Sequence, residues 1–224
     1  MNPEVPEYVS ILFILTTLVT IWLFKRAFKP SQTMLVILYA WLGLQGYLAS
    51  SGFYQDTTSL PPRFGLALIP ALILMAFIFL SAKGKNFLDE LDPESLYWIH
   101  TVRIPVEIVL WMLFVASQIP EAMTFEGRNY DIIAGLTAPL IIFYGIRKPI
   151  IDRNRLLLWN VLCLFLLLNV VVMAILSVEG PFQTMSFNNP NRGVLLFPFI
   201  WLPSFIVPTV LFSHLVSIRH LLKK

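Results

Sequence analysis

Between Arg155 and Glu179 the chain reads LLLWNVLCLFLLLNVVVMAILSV, residues 156–178, with no charged side chain anywhere in the run. As a helix rising 1.5 Å per residue it would reach about 34 Å, enough to cross a hydrocarbon layer roughly 30 Å thick. Backbone polar groups cannot go unpaired in lipid, so a run this long and apolar is expected as a helix. Similar runs lie on either side: Tyr8 to Phe24, Met34 to Ser51, Phe64 to Ala82, Ile104 to Ile119, Asp131 to Ile146 and, beyond the quoted one, Val194 to Ile218. Seven spans and their short loops use nearly the whole of residues 1–224, which predicts one all-α polytopic membrane domain with no soluble domain attached. Composition agrees: 57% of the 224 residues are hydrophobic and 13% charged, against about a quarter charged in soluble domains.

Direction follows from the basic residues, which are retained on the cytoplasmic side during insertion. Lys25, Arg26, Lys29, Lys83, Lys85, Arg103, Arg147, Lys148, Arg153, Arg155, Arg219, Lys223 and Lys224 fall on one side, and only Arg63, Arg128 and Arg192 on the other. Adding or removing one span would scramble that split. It therefore predicts seven helices with the amino terminus outside and the carboxy terminus in the cytoplasm. The net charge of +3 is explained by this asymmetry, and no nucleic-acid partner is expected. Met1 to Tyr8 has no basic residue and no small-residue cleavage site follows it, so the first apolar run reads as a retained helix. The one cysteine, Cys163, excludes an internal disulfide and reads as a small buried hydrophobe.

In such a chain the informative residues are the polar ones that cost energy to bury. At 100° per residue, His100, Arg103, Glu107, Trp111, Phe114 and Gln118 of the fourth span share an arc of roughly 80°. This face is expected to look inward. Arg103 and Glu107 stand four apart, a spacing that permits an ion pair on one helix. Asn160 and Asn169 of the sixth span point to opposite faces, and with Trp201 they are candidate lining of an interior path. The seventh span should be the most distorted, since it holds Pro198, Pro203 and Pro208. Small residues at Gly43, Gly46 and Ser50 predict a close packing seam on the second. On the outer side Arg63, Glu126, Arg128, Asp131 and Arg192 either ring a mouth or pair locally with acids, Glu179 among them.

Several chemistries lack their residues. His214 and His220 are six apart and fit no helical zinc pair, so no metal site is expected. No lysine lies within a span to form a Schiff base, and no nucleotide, dithiol or nucleophile-elbow motif occurs, so no cofactor and no catalytic residue is assigned. The reading that remains foremost is a bundle that binds or conducts a small solute or ion. A structural subunit of a membrane complex is one alternative; a lipid-modifying enzyme using His100 and Glu107 as acid and base is another. The partners to expect are the bilayer, a small solute or ion, and a second copy or another membrane protein.

Phe125-Glu-Gly-Arg-Asn-Tyr-Asp131 running into Ile-Ile-Ala-Gly-Leu-Thr-Ala-Pro139, and Phe197-Pro-Phe-Ile-Trp-Leu-Pro203 continuing through Val207-Pro208 to Phe212-Ser-His-Leu215, resemble a group of small bacterial membrane proteins without an assigned activity. The resemblance covers mainly the second half of the chain. It implies a multi-pass protein of the bacterial inner membrane and brings no function. Length and topology are also similar to the SWEET sugar transporters, without their paired prolines, which is a likeness of architecture alone.

Overall fold

The computed structural model describes residues 5–223, which are helical with no strand among them. Helix α1, Glu7–Phe28, carries Glu7 in its first turn and Lys25 and Arg26 in its last, matching the helix dipole at both ends. It stops at Lys29 in the left-handed region, just before Pro30. Helix α2, Gln32–Ser50, starts from the Ser31 hydroxyl, which accepts from Met34 N.

Helix α3, Gly65–Leu80, ends where the apolar run ends, and the chain turns by 89° into the short polar helix α4, Ala82–Asp89, capped by Ser81. Asp92 caps α5, Pro93–Ile99, with Pro93 in the first turn where its missing N–H is harmless. A single tight turn over His100–Val102 carries α5 into α6, Arg103–Val115. Pro105 explains that turn, since it cannot donate to the Thr101 carbonyl four residues back. Helix α7, Ile132–Ile141, widens into a π turn over Ile142–Arg147. Helix α8, Arg153–Ser177, is capped by Asp152, and α9, Val207–Leu222, is entered through a π turn over Leu202–Ile206.

By length and composition five stretches could cross a membrane: α1, α2, the continuous α5–α6, α8, and Leu202–Leu222. The bent α3–α4 pair makes a sixth if counted as one span, and Ile132–Arg147 is a shorter apolar helix, reaching about 24 Å. The fourth expected span is displaced. Its helix begins at Pro93, not Ile104, and ends at Val115, with Ser117 in the left-handed region. Residues 194–201, expected as the start of the seventh span, form a 3₁₀ turn and irregular backbone.

Helix α8 lies along α9, α1 against α5 and α6, α7 against the start of α6, and α3 against the π turn ahead of α9. Large apolar side chains face outward, among them Ile11, Leu15 and Trp22 on α1 and Leu158, Leu162 and Phe165 on α8. Gln45, His100, Arg103, Glu107, Asn160 and His214 are each at most 2% exposed. Such an inversion is what a hydrocarbon surrounding selects, because apolar surface costs nothing there and polar groups must find partners inside.

The prolines also build contacts. Pro208 cannot donate to the Ser204 carbonyl, and Trp41 Nε1 of α2 donates to it instead at 3.1 Å. Trp201 returns a bond from its Nε1 to the Leu42 carbonyl at 2.9 Å. Gly46 makes room for this exchange, since a Cβ there would sit 3.2 Å from the Phe197 ring. Gly43, expected on the same seam, has nothing within 4 Å of the corresponding position.

Candidate functional site

The loop between α6 and α7 folds back on itself: Gly127 N donates to Thr124 O, Arg128 N to Ala122 O and Asn129 N to Thr124 O. This turns Asn129 into the bundle, where it is fully buried. Its Nδ2 donates to both oxygens of Glu107, at 2.8 and 2.7 Å, and to Met123 O at 3.0 Å. Its Oδ1 accepts from Asp131 N at 3.0 Å, which fixes the next acid in the cluster.

Asp131 meets Arg103, with Nε 3.2 Å from Oδ2. A close approach of two helices permits the pair. Gly135 lies one turn beyond Asp131, and a Cβ on it would stand 2.9 Å from Ile104 Cγ1 and 3.1 Å from Ile104 N. The Nη1 and Nη2 atoms of Arg103 reach the Cys163 carbonyl at 3.5 and 3.4 Å. The direct ion pair of Arg103 is therefore with Asp131, not with Glu107 as the spacing permitted, and Glu107 is held by an amide, while the guanidinium still acts on Glu107 electrostatically.

Arg103, Glu107 and Asp131 line a cavity of about 60 Å³ whose remaining walls are apolar, including Phe64, Leu110, Val170 and Leu202. Two carboxylates and one guanidinium thus border a small space whose surface is almost wholly apolar.

In and around the turn just ahead of α6 lies a second polar cluster. His100 and His214 stack with ring centroids 4.0 Å apart and planes inclined by 27°, with Trp159 against both. Asn160 Nδ2 donates to the Tyr97 hydroxyl and to Leu156 O, which leaves its Oδ1 to accept from His214 Nδ1 at 3.1 Å. Among the described residues no group bonds the two ring nitrogens of His100 or Nε2 of His214. Arg103 is close enough to act electrostatically on both rings. The stacked pair joins residues that no local spacing relates. His220, tested in sequence as the partner of His214, instead bonds the Leu88 carbonyl at 2.7 Å.

The other candidate residues are dispersed. Trp111 lies flat against Phe125, centroids 6.3 Å apart. The Gln118 carbonyl, at the end of the α6 segment, accepts from Arg192 N and Gly193 N. Asn169 is on the exposed face of α8 and donates to Arg128 O at 2.9 Å. Asn160, Asn169 and Trp201 do not line the cavity. Arg63 pairs with Asp56 and sits over the Phe53 ring, while Glu126 and Arg128 are exposed. Arg192 grips Glu179 with two bonds, at 3.0 and 2.5 Å, and holds its carboxyl below the usual carboxylate range. At the opposite end Asp89 receives Arg219 and Lys223, whose hydrogen bonds lower its carboxyl from 3.8 to about 2. Arg147 pairs there with Glu94.

Gln118, Glu179 and Arg192 border an open cleft of about 750 Å³ at the end away from Asp89. Val5, Thr57 and Phe197 also line it.

Neither a curated protein nor a solved structure matches this chain. One family model matches residues 61–222, from the loop before α3 to the end of α9, and so takes in the acidic cluster, its cavity and the histidine pair. The chain belongs to that family, which is described as a domain of unknown function, DUF8737.

Proposed function

We propose that this chain is a seven-span protein of the bacterial inner membrane, amino terminus outside and carboxy terminus inside, that binds a small cation, in its simplest form a proton, at Glu107. The observation that carries the reading is the charge balance around the cavity. One guanidinium faces two carboxylates, its ion pair goes to Asp131, and among the described residues the donor that holds Glu107 is the neutral Asn129 amide. A carboxylate that shares its one nearby cation with a second acid is costly in an apolar interior, and a cationic occupant removes that cost. The space of about 60 Å³ admits a few water-sized species and excludes a drug-sized solute.

Seven crossings are supported by the five long helices, by counting α3 with its bend as a sixth, and by α7 with its π turn as a short seventh. The grouping of Arg147, Arg153, Arg219 and Lys223 at one end supports the direction. For the lipid-enzyme alternative, His100 and Glu107 would need a common space, and His100 does not line the cavity that Glu107 lines.

The test is reconstitution into liposomes with an interior pH-sensitive dye and an imposed proton or cation gradient. Wild-type protein should dissipate the gradient and Glu107→Gln should not. Equal rates for the two proteins remove Glu107 from the mechanism, and a wild-type rate equal to empty liposomes removes the transport reading.

A further inference from the structure

The open cleft contains features that the cation site leaves unused. Its volume of about 750 Å³ lies within the range of small-molecule sites, roughly 300–1,000 Å³. Among the described residues its charged lining side chains, Arg192 and Glu179, are engaged with each other by two hydrogen bonds, so together they present no net charge to a visitor. A charged solute entering there would lose hydration and gain no counter-ion. Ser10, Gln55 and Thr57 bring hydroxyl and amide groups that both donate and accept. The apolar part of the lining includes Leu196 and the half-exposed ring of Phe197, a surface suited to the C–H face of a polyol or amide.

The cleft and the cavity also share a wall. Val194, Leu202 and Pro203 line the cavity, whereas Leu195, Leu196 and Phe197 line the cleft. The backbone between them is a 3₁₀ turn, an irregular stretch and a π turn, and such backbone moves at less cost than an α-helix with a complete ladder of hydrogen bonds.

We propose that this cleft is the outward-facing binding site for a small neutral solute bearing hydroxyl or amide groups, and that residues 193–206 transmit its occupancy to the Glu107 cavity. The site deepens the cation reading by supplying the solute that the cation accompanies, and it rests on that reading for its orientation and coupling. Binding itself can be measured separately.

The experiment titrates the full chain in detergent micelles with glucose and N-acetylglucosamine as neutral probes, and with gluconate and glucosamine as charged ones, by calorimetry. Tryptophan emission of the chain gives a second readout, since the Trp201 ring lies beside Phe197 with centroids 5.2 Å apart. Saturable binding of a neutral probe, weakened about tenfold by Thr57→Val or Gln55→Leu through loss of a hydrogen bond and retained in Glu107→Gln, supports the site. Preference for a charged probe overturns it, as does no saturable binding of either neutral probe or binding that ignores both cleft variants. Loss of cation flux in Glu107→Gln with glucose binding intact separates the two sites. Intact cation flux with no neutral binding refutes the cleft alone.

Discussion

Replacing Asn129 by leucine should destabilise the acidic cluster strongly, although Asn129 is not itself ionisable. The substitution keeps the approximate size and removes a donor to Glu107, a donor to Met123 O and an acceptor for Asp131 N. Hydrogen bonds to charged groups contribute about 1.5–3 kcal/mol and a stranded buried backbone group costs about 1–3, which together give roughly 2.5–6 kcal/mol. Water entering the adjoining cavity would solvate one Glu107 oxygen and bring the loss toward about 3 kcal/mol. The assay is unfolding in mixed micelles with rising SDS, followed by circular dichroism, comparing midpoints at equal slope. Asn129→Asp supplies the sharper contrast, because it preserves the shape and puts another acid against Glu107. It should be less stable than Asn129→Leu at neutral pH and regain stability in acid, where a shared proton replaces the lost N–H. A loss within about 0.5 kcal/mol for the leucine variant, the range of surface substitutions, would refute the cluster as described.

The remaining expectations concern the contacts that position the cluster. Gly135→Ala places a methyl 2.9 Å from Ile104 Cγ1 and should cost about 1–3 kcal/mol as α7 is pushed from α6, read by the same unfolding assay. Its cation response should fall as well, because Asp131 moves with the helix. Trp41→Phe removes the donor to Ser204 O, the carbonyl that Pro208 cannot serve, and should cost about 1–3 kcal/mol. Restoring the backbone donor with Pro208→Ala in the Trp41→Phe background should recover part of that loss. Asp89 has a depressed carboxyl, so its stabilising contribution is present above 3.8 and disappears as the pH falls toward about 2. Wild-type midpoints should decline across that window, and Asp89→Asn should remove this component of the decline.

The long helices were legible because hydrocarbon thickness imposes a length, and a count of apolar residues reads it directly. The bend after α3 was carried only by a change of composition at Ser81, where the apolar run meets Lys83 and Lys85; reading the run through to Ala82 passed over the cap. The Arg103–Glu107 spacing gave correct information about a helix surface and the wrong partner. A loop delivers Asp131 and Asn129 to the same place, and i, i+4 reasoning has no access to a loop. Asn129 left no distinct signal, since it sits among other polar residues in the loop, between Arg128 and Asp131. The histidine pair likewise left none: His100 and His214 lie on different helices, and their faces come together only once α5 and α9 pack.

Stability does not explain the acidic cluster. Buried ion pairs are commonly neutral or unfavourable relative to apolar residues of the same volume, because desolvation consumes the Coulombic gain. Leucines at 103, 107 and 131 would fill much of the cavity and dispense with the Asn129 clamp. The chain instead keeps a glycine at 135 so that Asp131 can reach Arg103, and a folded-back loop so that an amide can reach Glu107. Those features hold one carboxylate beside a small space without a cation of its own. Such an arrangement costs free energy when empty and recovers it when occupied, so binding is linked to the stability of the bundle, and an occupant should raise the unfolding midpoint according to its affinity.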